Sequence, residues 1–192
     1  MLKKATIILA SLTMFSFGAL ASETYDIDMY HSSVLFKISH LGASNYYGRF
    51  NDVSGTVVFD EKNPSKSSVD ITVKVDSVDT NSKKRDDHLK SPDFFNSKQF
   101  PVITFKSKKV EKVNDKTFKV TGNLTIHGVT KEVSFNFNKT GEGKNPKGQK
   151  VVGGETTFTI KRSDFGMNYM QGPGMLGDEV TLILSFEGVL KK

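Results

Sequence analysis

Four histidines, His31, His40, His88 and His127, are the residues best suited to acid/base or metal chemistry in a chain of 192 residues that contains no cysteine and no tryptophan. They are scattered. There is no His-Glu-x-x-His, no His-x-His and no acidic cluster at metal-ligand spacing, so His31 and His127 read as hydrogen-bonded structural residues. His88 with Asp86 or Asp87, next to Arg85, is the only plausible acid/base cluster. That group could move a proton on a bound molecule, although a charge run at a helix start ordinarily serves as a solvated cap. Met167, Met170 and Met175 form a thioether set of a kind that suits Cu(I), but three methionines in a loop are better explained as a pliable apolar wall. The glycine-rich loop from Gly166 to Gly177 lacks the strand-to-helix setting and the lysine of a phosphate loop, and reads as a lid or a long hairpin connection. No Gly-x-Ser-x-Gly places a nucleophile beside a base. Without cysteine there is no thiol catalysis, thiolate metal site, Fe–S cluster or lipid-modified anchor. The residues therefore predict no catalytic constellation, no metal and no cofactor.

Met1 to Ala21 carries Lys3 and Lys4, an apolar run from Ala5 to Leu20 and an Ala19-Leu20-Ala21 cleavage signature. This is the pattern of a secretory signal peptide. The run is interrupted by Thr6, Ser11, Thr13, Ser16 and Gly18 and is followed by no stop-transfer charges, which disfavours a membrane anchor. Cleavage after Ala21 leaves residues 22–192 as one domain in the space outside the inner membrane, the periplasm. Loss of Lys3 and Lys4 lowers the formal net charge from +6 to +4. The remaining lysines are spread along the chain, which favours solubility over a nucleic-acid footprint.

Beyond the leader, the dominant pattern has a period of two. Val34, Phe36 and Ile38 alternate with polar residues; a strand from Tyr46 to Asp60 has Gly55 as a bulge and Val57 and Phe59 on one face. Val69, Ile71, Val73 and Val75 give the cleanest alternation. Phe118, Val120, Leu124 and Ile126 follow, then Val133, Phe135 and Phe137, then Val152, Thr156, Phe158 and Ile160 within Lys150–Lys161, and finally Val180, Leu182, Leu184 and Phe186. About eight strands result, several of them eleven or twelve residues long and spanning roughly 35 to 40 Å. The predicted fold is all-β: an extended up-and-down antiparallel barrel, since closure removes the edges. One short helical insertion interrupts it at about 83–97, where Ser91-Pro92-Asp93 supplies a helix start. Alternation alone leaves open which face is lipid in an outer-membrane barrel, but aromatic girdles are missing and the chain ends on two lysines. No stable membrane insertion is expected.

The signal above background is aromatic. Fifteen phenylalanines are present, thirteen of them after the leader, and most fall on apolar faces or in the insertion. Core packing accounts for many. The sharper expectation is an elongated apolar cavity walled by Phe36, Ile38, Phe94, Phe95, Phe105, Phe158, Met167 and Met170, with a polar mouth at His40, Arg49, His88 and Arg162. A buried hydrocarbon tail gains about 0.8 kcal/mol gross per methylene. The insertion would then be a plug or gate over the cavity, with Arg85 and His88 facing water.

Taken together, several stretches resemble the YceI-like family of exported, polyisoprenoid-binding, lipocalin-like bacterial proteins. They are Asp28 to His40 (DMYHSSVLFKISH), Gly48-Arg49-Phe50 with Gly55, Arg85 to Phe95 (RDDHLKSPDFF) running into Phe100 to Phe105 (FPVITF), Gly122 to Thr130 (GNLTIHGVT) and Ile160 to Gly166 (IKRSDFG). The resemblance covers nearly all of the chain after the leader. It implies a barrel whose hydrophobic tunnel holds an isoprenoid chain or similar long-chain amphiphile, such as a quinone precursor, a polyprenyl lipid or a fatty amide, in a secreted protein associated with stress or quinone metabolism. Arg162, Asp164 and Phe165 match the family's Arg-x-Asp-Phe-Gly, and Arg85, His88, Leu89, Phe94 and Phe95 its helical motif. An enzyme acting on a lipid head group through His88 and Asp86 or Asp87, and a non-binding structural stress protein, are the alternatives. Neither monomer nor homodimer is favoured by the residues.

Overall fold

A computed structural model describes residues 22–191; the predicted signal peptide lies outside the described residues. Eleven strands follow the period-two pattern: β1 (Glu23–Ile27), β2 (Ser33–His40), β3 (Ser44–Phe50), β4 (Val53–Phe59), β5 (Ser68–Lys74), β6 (Val78–Asp79), β7 (Val102–Lys112), β8 (Thr117–Ile126), β9 (Val129–Lys144), β10 (Lys150–Lys161) and β11 (Leu176–Leu190). Helix α1 (Lys83–Leu89) lies between β6 and β7. Eight strands close a ring in the order β1-β4-β5-β7-β8-β9-β10-β11, and β11 returns to β1 through Tyr25 opposite Leu190. Every pairing between these strands is antiparallel. β2, β3 and β6 extend the wall along the other half of β11, where Leu182 faces Phe36 and Val180 faces Ile38. The barrel of eight predicted from the alternation is therefore what forms.

Three of the barrel's walls are made of two strands joined by a bend. A short 3-10 turn at Met29–His31 separates β1 from β2, Asn51 and Asp52 separate β3 from β4, and a second 3-10 turn at Val75–Ser77 separates β5 from β6. The strand read from Tyr46 to Asp60 is thus β3 and β4. Gly55 is not a bulge, since β4 keeps an unbroken register with β5 across it. It is a close approach: a Cβ there would lie 2.2 Å from the Asp70 carbonyl oxygen, and its φ of +152° is one that glycine adopts without strain.

Apolar residues occupy the inward phase and, Lys139 apart, the lysines of the long strands lie outward or at the strand ends. On β8, Phe118, Val120, Leu124 and Ile126 are buried while Lys119 points out. That is the reverse of a membrane barrel, whose apolar face is outside, and no described helix is long and apolar enough to cross a membrane. Because the ring is antiparallel, its turns sort to two ends. The β2–β3 turn, α1 with residues 90–101, the β8–β9 turn and residues 162–175 gather at one, the helix end. The connections 60–67, 113–116 and 145–149 gather at the other, the far end.

The insertion is shorter in helix than predicted. α1 stops at Leu89, and Ser91-Pro92-Asp93 begins a set of tight turns instead of a second helical stretch. The Phe95 amide donates to the Leu89 carbonyl, the Ser97 amide to the Lys90 carbonyl, and Asn96 takes φ of 48°. Folding the chain back on itself buries Phe94 and Ser97, which a straight helix would leave in water.

Candidate functional site

An apolar cavity of about 180 Å³ lies inside the ring. It is walled from β4 (Val57, Phe59), β5 (Val69, Ile71), β7 (Phe105), β8 (Phe118, Leu124), β9 (Phe135, Phe137), β10 (Phe158) and β11 (Leu184, Phe186). The rings are arranged in series. Phe59 meets Phe118 edge-on at 5.3 Å, Phe105 tilts against Phe135 at 5.3 Å, and Phe135 stacks on Phe158 at 4.6 Å with planes 11° apart. A void of this size exceeds the packing defects of an ordinary core, and cavities of similar size lined by aliphatic and aromatic groups bind apolar molecules.

At the far end the inward phase of β9 continues one step past Phe137 to Lys139, a lysine on the apolar face. Its ammonium lies 5.3 Å from the centre of the Phe59 ring. It donates to Glu61 at 3.2 Å and reaches Glu142 at 2.6 Å. Glu142 also meets Lys150 at 3.2 Å, Lys150 donates to Glu23 at 2.7 Å, and the hydroxyl of the fully buried Tyr25 donates to the same Glu23 oxygen at 2.6 Å. The result is a belt of five charges and a phenol across the far end. Burial and the Glu23 hydrogen bond push the Tyr25 phenol up to about 12. The Lys150 hydrogen bond, helped by Tyr25, holds Glu23 below the usual carboxylate value, and Lys139 does the same for Glu142. Hydrogen bonds to Glu23 raise Lys150. Burial works against the Lys139 charge, but its bonds to Glu142 and Glu61 outweigh it and raise the ammonium.

The helix end is filled. Phe95 packs against both large core clusters, Leu89 against one, and Phe165 and Met167 are buried in the other beside Leu124, Ile126 and Ile160. Arg162, only 2 % exposed, holds this end together. Its guanidinium donates to the carbonyls of Met167 (2.6 Å), Gly177 (2.8 Å) and Leu176 (3.1 Å), tying both sides of the glycine-rich loop to β10. Burial lowers its affinity for the proton and the Asp178 charge partly restores it. Arg85 donates to the Thr80 hydroxyl at 2.9 Å and carbonyl at 2.8 Å and lies 3.9 Å over the Tyr46 ring, while Asp86 accepts from the Thr80 amide and hydroxyl.

Of the residues predicted from sequence, Phe105 and Phe158 line the cavity. Phe36 is buried against Phe50 outside it, and Ile38 is half-buried towards the helix end of β2. Phe94 joins His88 and Tyr169 in a ring cluster, Phe95 and Met167 belong to the plug, and Met170 takes φ of 50° in the connecting turn. The predicted mouth does not assemble. His40 is exposed at the tip of the β2–β3 hairpin, Arg49 is exposed on the outside of β3, His88 bonds Asp93 at 2.9 Å, Arg162 is buried among carbonyls, and Asp164 is exposed. Alternation turns Arg49 outward, whereas His40 shares the phase of Phe36 and Ile38 and is exposed because it ends the strand at the hairpin tip. Nor does His88 pair with Asp86 or Asp87, since Thr80 engages the first and Lys83 the second. His127 keeps the structural role expected, its Nδ1 3.2 Å from the Phe165 carbonyl oxygen and its ring against Phe100. His31 bonds Asp28 at 2.8 Å with Glu187 at 3.9 Å, a trio whose ligand atoms lie within 4.8 Å of one another at the bend between β1 and β2. The Asp28 carboxylate raises the His31 imidazole, which favours an ion pair there.

Sequence reasoning named neither the Phe118, Phe135, Phe137 and Phe186 walls nor Lys139 as site residues. Each was readable: all sit on inward phases already identified, and Lys139 is the next inward position of β9.

The family profile of the YceI-like domain matches residues 25–188. Protein YceI of Salmonella arizonae is 45 % identical over 186 residues, which cover 96 % of this chain and 95 % of that one. The crystal structure of Burkholderia cenocepacia BcnA superposes with a TM-score of 0.75 at 25 % identity, covering 84 % of this chain and 98 % of BcnA. A domain of Saccharophagus degradans described as polyisoprenoid binding shares the fold, with a TM-score of 0.66 at 15 % identity over 87 % of this chain and 98 % of that one. With the profile spanning nearly the whole barrel, the chain belongs to the YceI-like domain family.

Proposed function

We propose that this protein is a periplasmic carrier that holds the tail of an isoprenoid or similar long-chain amphiphile inside the barrel and performs no catalysis on it. The observation that carries the reading is the cavity of about 180 Å³ whose wall is almost wholly carbon, in a ring of strands otherwise packed tightly. Each methylene transferred there from water is worth about 0.8 kcal/mol before ordering costs. A space of that size takes a short apolar segment as it stands, and a longer tail needs the ring series of Phe105, Phe135 and Phe158 to swing aside. The similarity to the Saccharophagus degradans domain, described as polyisoprenoid binding, supports an apolar ligand of this class.

Native mass spectrometry on protein isolated from the periplasm tests the reading. The expected result is an adduct whose mass matches a lipid recovered by solvent extraction, and uptake of farnesol by delipidated protein. A single ligand-free mass, together with no farnesol uptake, would sink it.

A further inference from the structure

β9 and β10 pair only over Asn138–Lys144 and Lys150–Glu155. Towards the helix end the two strands part. Residues 129–137 keep their ladder with β8 and residues 156–161 keep theirs with β11, but no ladder joins the two segments. The parting begins beside a register shift at Gly153/Gly154, where the Phe137 ring crosses the backbone: a Cβ on Gly154 would lie 2.2 Å from Phe137 Cε1. A hydrogen bond and a ring stack span the gap. The Thr156 hydroxyl donates to the Asn136 carbonyl at 2.7 Å, and behind it Phe135 stacks on Phe158. Outside, a groove runs over the gap between Asn136, Asn138, Glu155, Thr157, Ile183 and Ser185. Phe135, Thr156, Phe158 and Leu184 line both this groove and the inner cavity, so they alone stand between the two.

We propose that this gap is the portal of the cavity. The apolar tail enters sideways between β9 and β10, the Phe135–Phe158 stack is the gate, and the outer groove seats the head group. The proposal rests on the carrier reading and adds the route and the class of head group. The route follows from comparing the three ways in. Entry at the far end requires separating charge-assisted hydrogen bonds among Lys139, Glu142, Lys150 and Glu23, which are stronger than neutral ones. Entry at the helix end requires removing buried Phe165 and Met167 and breaking the three carbonyl bonds of Arg162. Entry at the side requires one neutral hydrogen bond and the swing of two rings, with no backbone ladder to break. The head-group class follows from the polar part of the groove's lining: between apolar Leu35, Ile183 and the gate residues it offers amides and hydroxyls, with Glu155 as its one charged side chain. Such a surface accepts an uncharged hydrogen-bonding group or an amine and repels a phosphate.

The chain's lack of cysteine makes the test direct. Thr157→Cys places a thiol on the exposed lip of the groove and Asp115→Cys places one in the exposed turn at the far end, outside the charged belt. Each is coupled to a maleimide-linked polyethylene glycol, and uptake of the neutral fluorophore N-phenyl-1-naphthylamine is followed by stopped flow. The coupled Thr157→Cys protein is expected to take up the probe at least tenfold more slowly than before coupling, and the coupled Asp115→Cys protein to change by less than twofold. Slowing at Asp115→Cys alone, or equally at both, overturns the portal. Absence of uptake before any coupling overturns the carrier reading itself, which keeps the two failures apart. Displacement of the probe then tests the head group: farnesol and farnesylamine should compete at least tenfold better than farnesyl phosphate, and the opposite order overturns that assignment.

Discussion

Phe36 lies so close beneath Gly48 that a Cβ on the glycine would stand 2.2 Å from Phe36 Cζ and 2.8 Å from the Thr80 methyl. β2 and β3 pair directly here, Phe36 opposite Gly48, and the ring occupies the space that any other residue would fill. Gly48→Ala is therefore expected to destabilise the fold by about 1–3 kcal/mol through overpacking. Urea denaturation measures it. In the double variant Phe36→Leu/Gly48→Ala the shorter side chain leaves room for the methyl, so part of the loss should return; an additive double variant would refute the steric origin.

Arg162 shows what the Arg-x-Asp-Phe-Gly segment is for. A guanidinium can serve three carbonyls from one rigid fork, and the carbonyls of Met167, Leu176 and Gly177 converge on it. Arg162→Met leaves those oxygens without their donor in a buried place, an expected loss of about 2–4 kcal/mol. Arg162→Lys should recover little of it, because one ammonium cannot reach all three. Amide hydrogen exchange offers a second reading: protection of the Met167 and Leu176 amides should fall well before that of β8, whereas a uniform fall would place the effect in global stability alone.

α1 is an anchored brace, and its polar residues should affect stability without affecting ligand. Arg85, Asp86, Thr80 and Tyr46 form one network, and none of them lines the cavity. Thr80→Val removes the hydroxyl shared by Arg85 and Asp86 and is expected to destabilise by about 1–2 kcal/mol. His88→Ala should leave N-phenyl-1-naphthylamine affinity within twofold of the unmodified chain. A tenfold loss of affinity in His88→Ala would return the helix to the binding site.

Fold and site were legible to different degrees, for one physical reason. Alternation records which way a side chain points, so the inward faces of β2, β8, β9, β10 and β11 could be read directly, and with them the barrel. It does not record where along the barrel axis a residue sits. Phe36 and Phe158 are equally inward, yet one packs a closed end and the other walls a cavity. Polar residues were harder still. His88 and Arg162 read as part of a mouth because they are polar and lie near apolar motifs, whereas their partners, Asp93 and three backbone carbonyls, are set by turns that no periodicity announces. Lys139 was the opposite case. Its position was encoded in the β9 pattern, and its meaning emerged only with Glu61 brought beside it from another part of the chain and Glu142 three residues along β9.

The belt at the far end should make stability depend on pH in a predictable sense. Glu23 and Glu142 titrate below their ordinary value of 4.5 in the folded protein because Lys150 and Lys139 bond their ionised forms. The stability they contribute is therefore fully present above about pH 4.5 and is lost as pH falls through their lower folded values. On the alkaline side Lys150 is raised above its ordinary 10.5, and Tyr25 from 10.0 to about 12. Their contribution is present below about pH 10 and is lost as pH rises through the folded values. The charged groups are partly exposed, so solvent screening tempers the size of each limb. Lys150→Met removes the centre of the belt, leaving Glu23 without its cation. The gap in melting temperature between the unmodified chain and Lys150→Met should hold steady from pH 5 to 9 and narrow below pH 4.5, as the carboxylates protonate in both proteins. Thermal melts across pH 3 to 9 decide the matter: a gap of the same width at pH 3 as at pH 7 would mean that Lys150 acts through its aliphatic stem and not through the charges it joins.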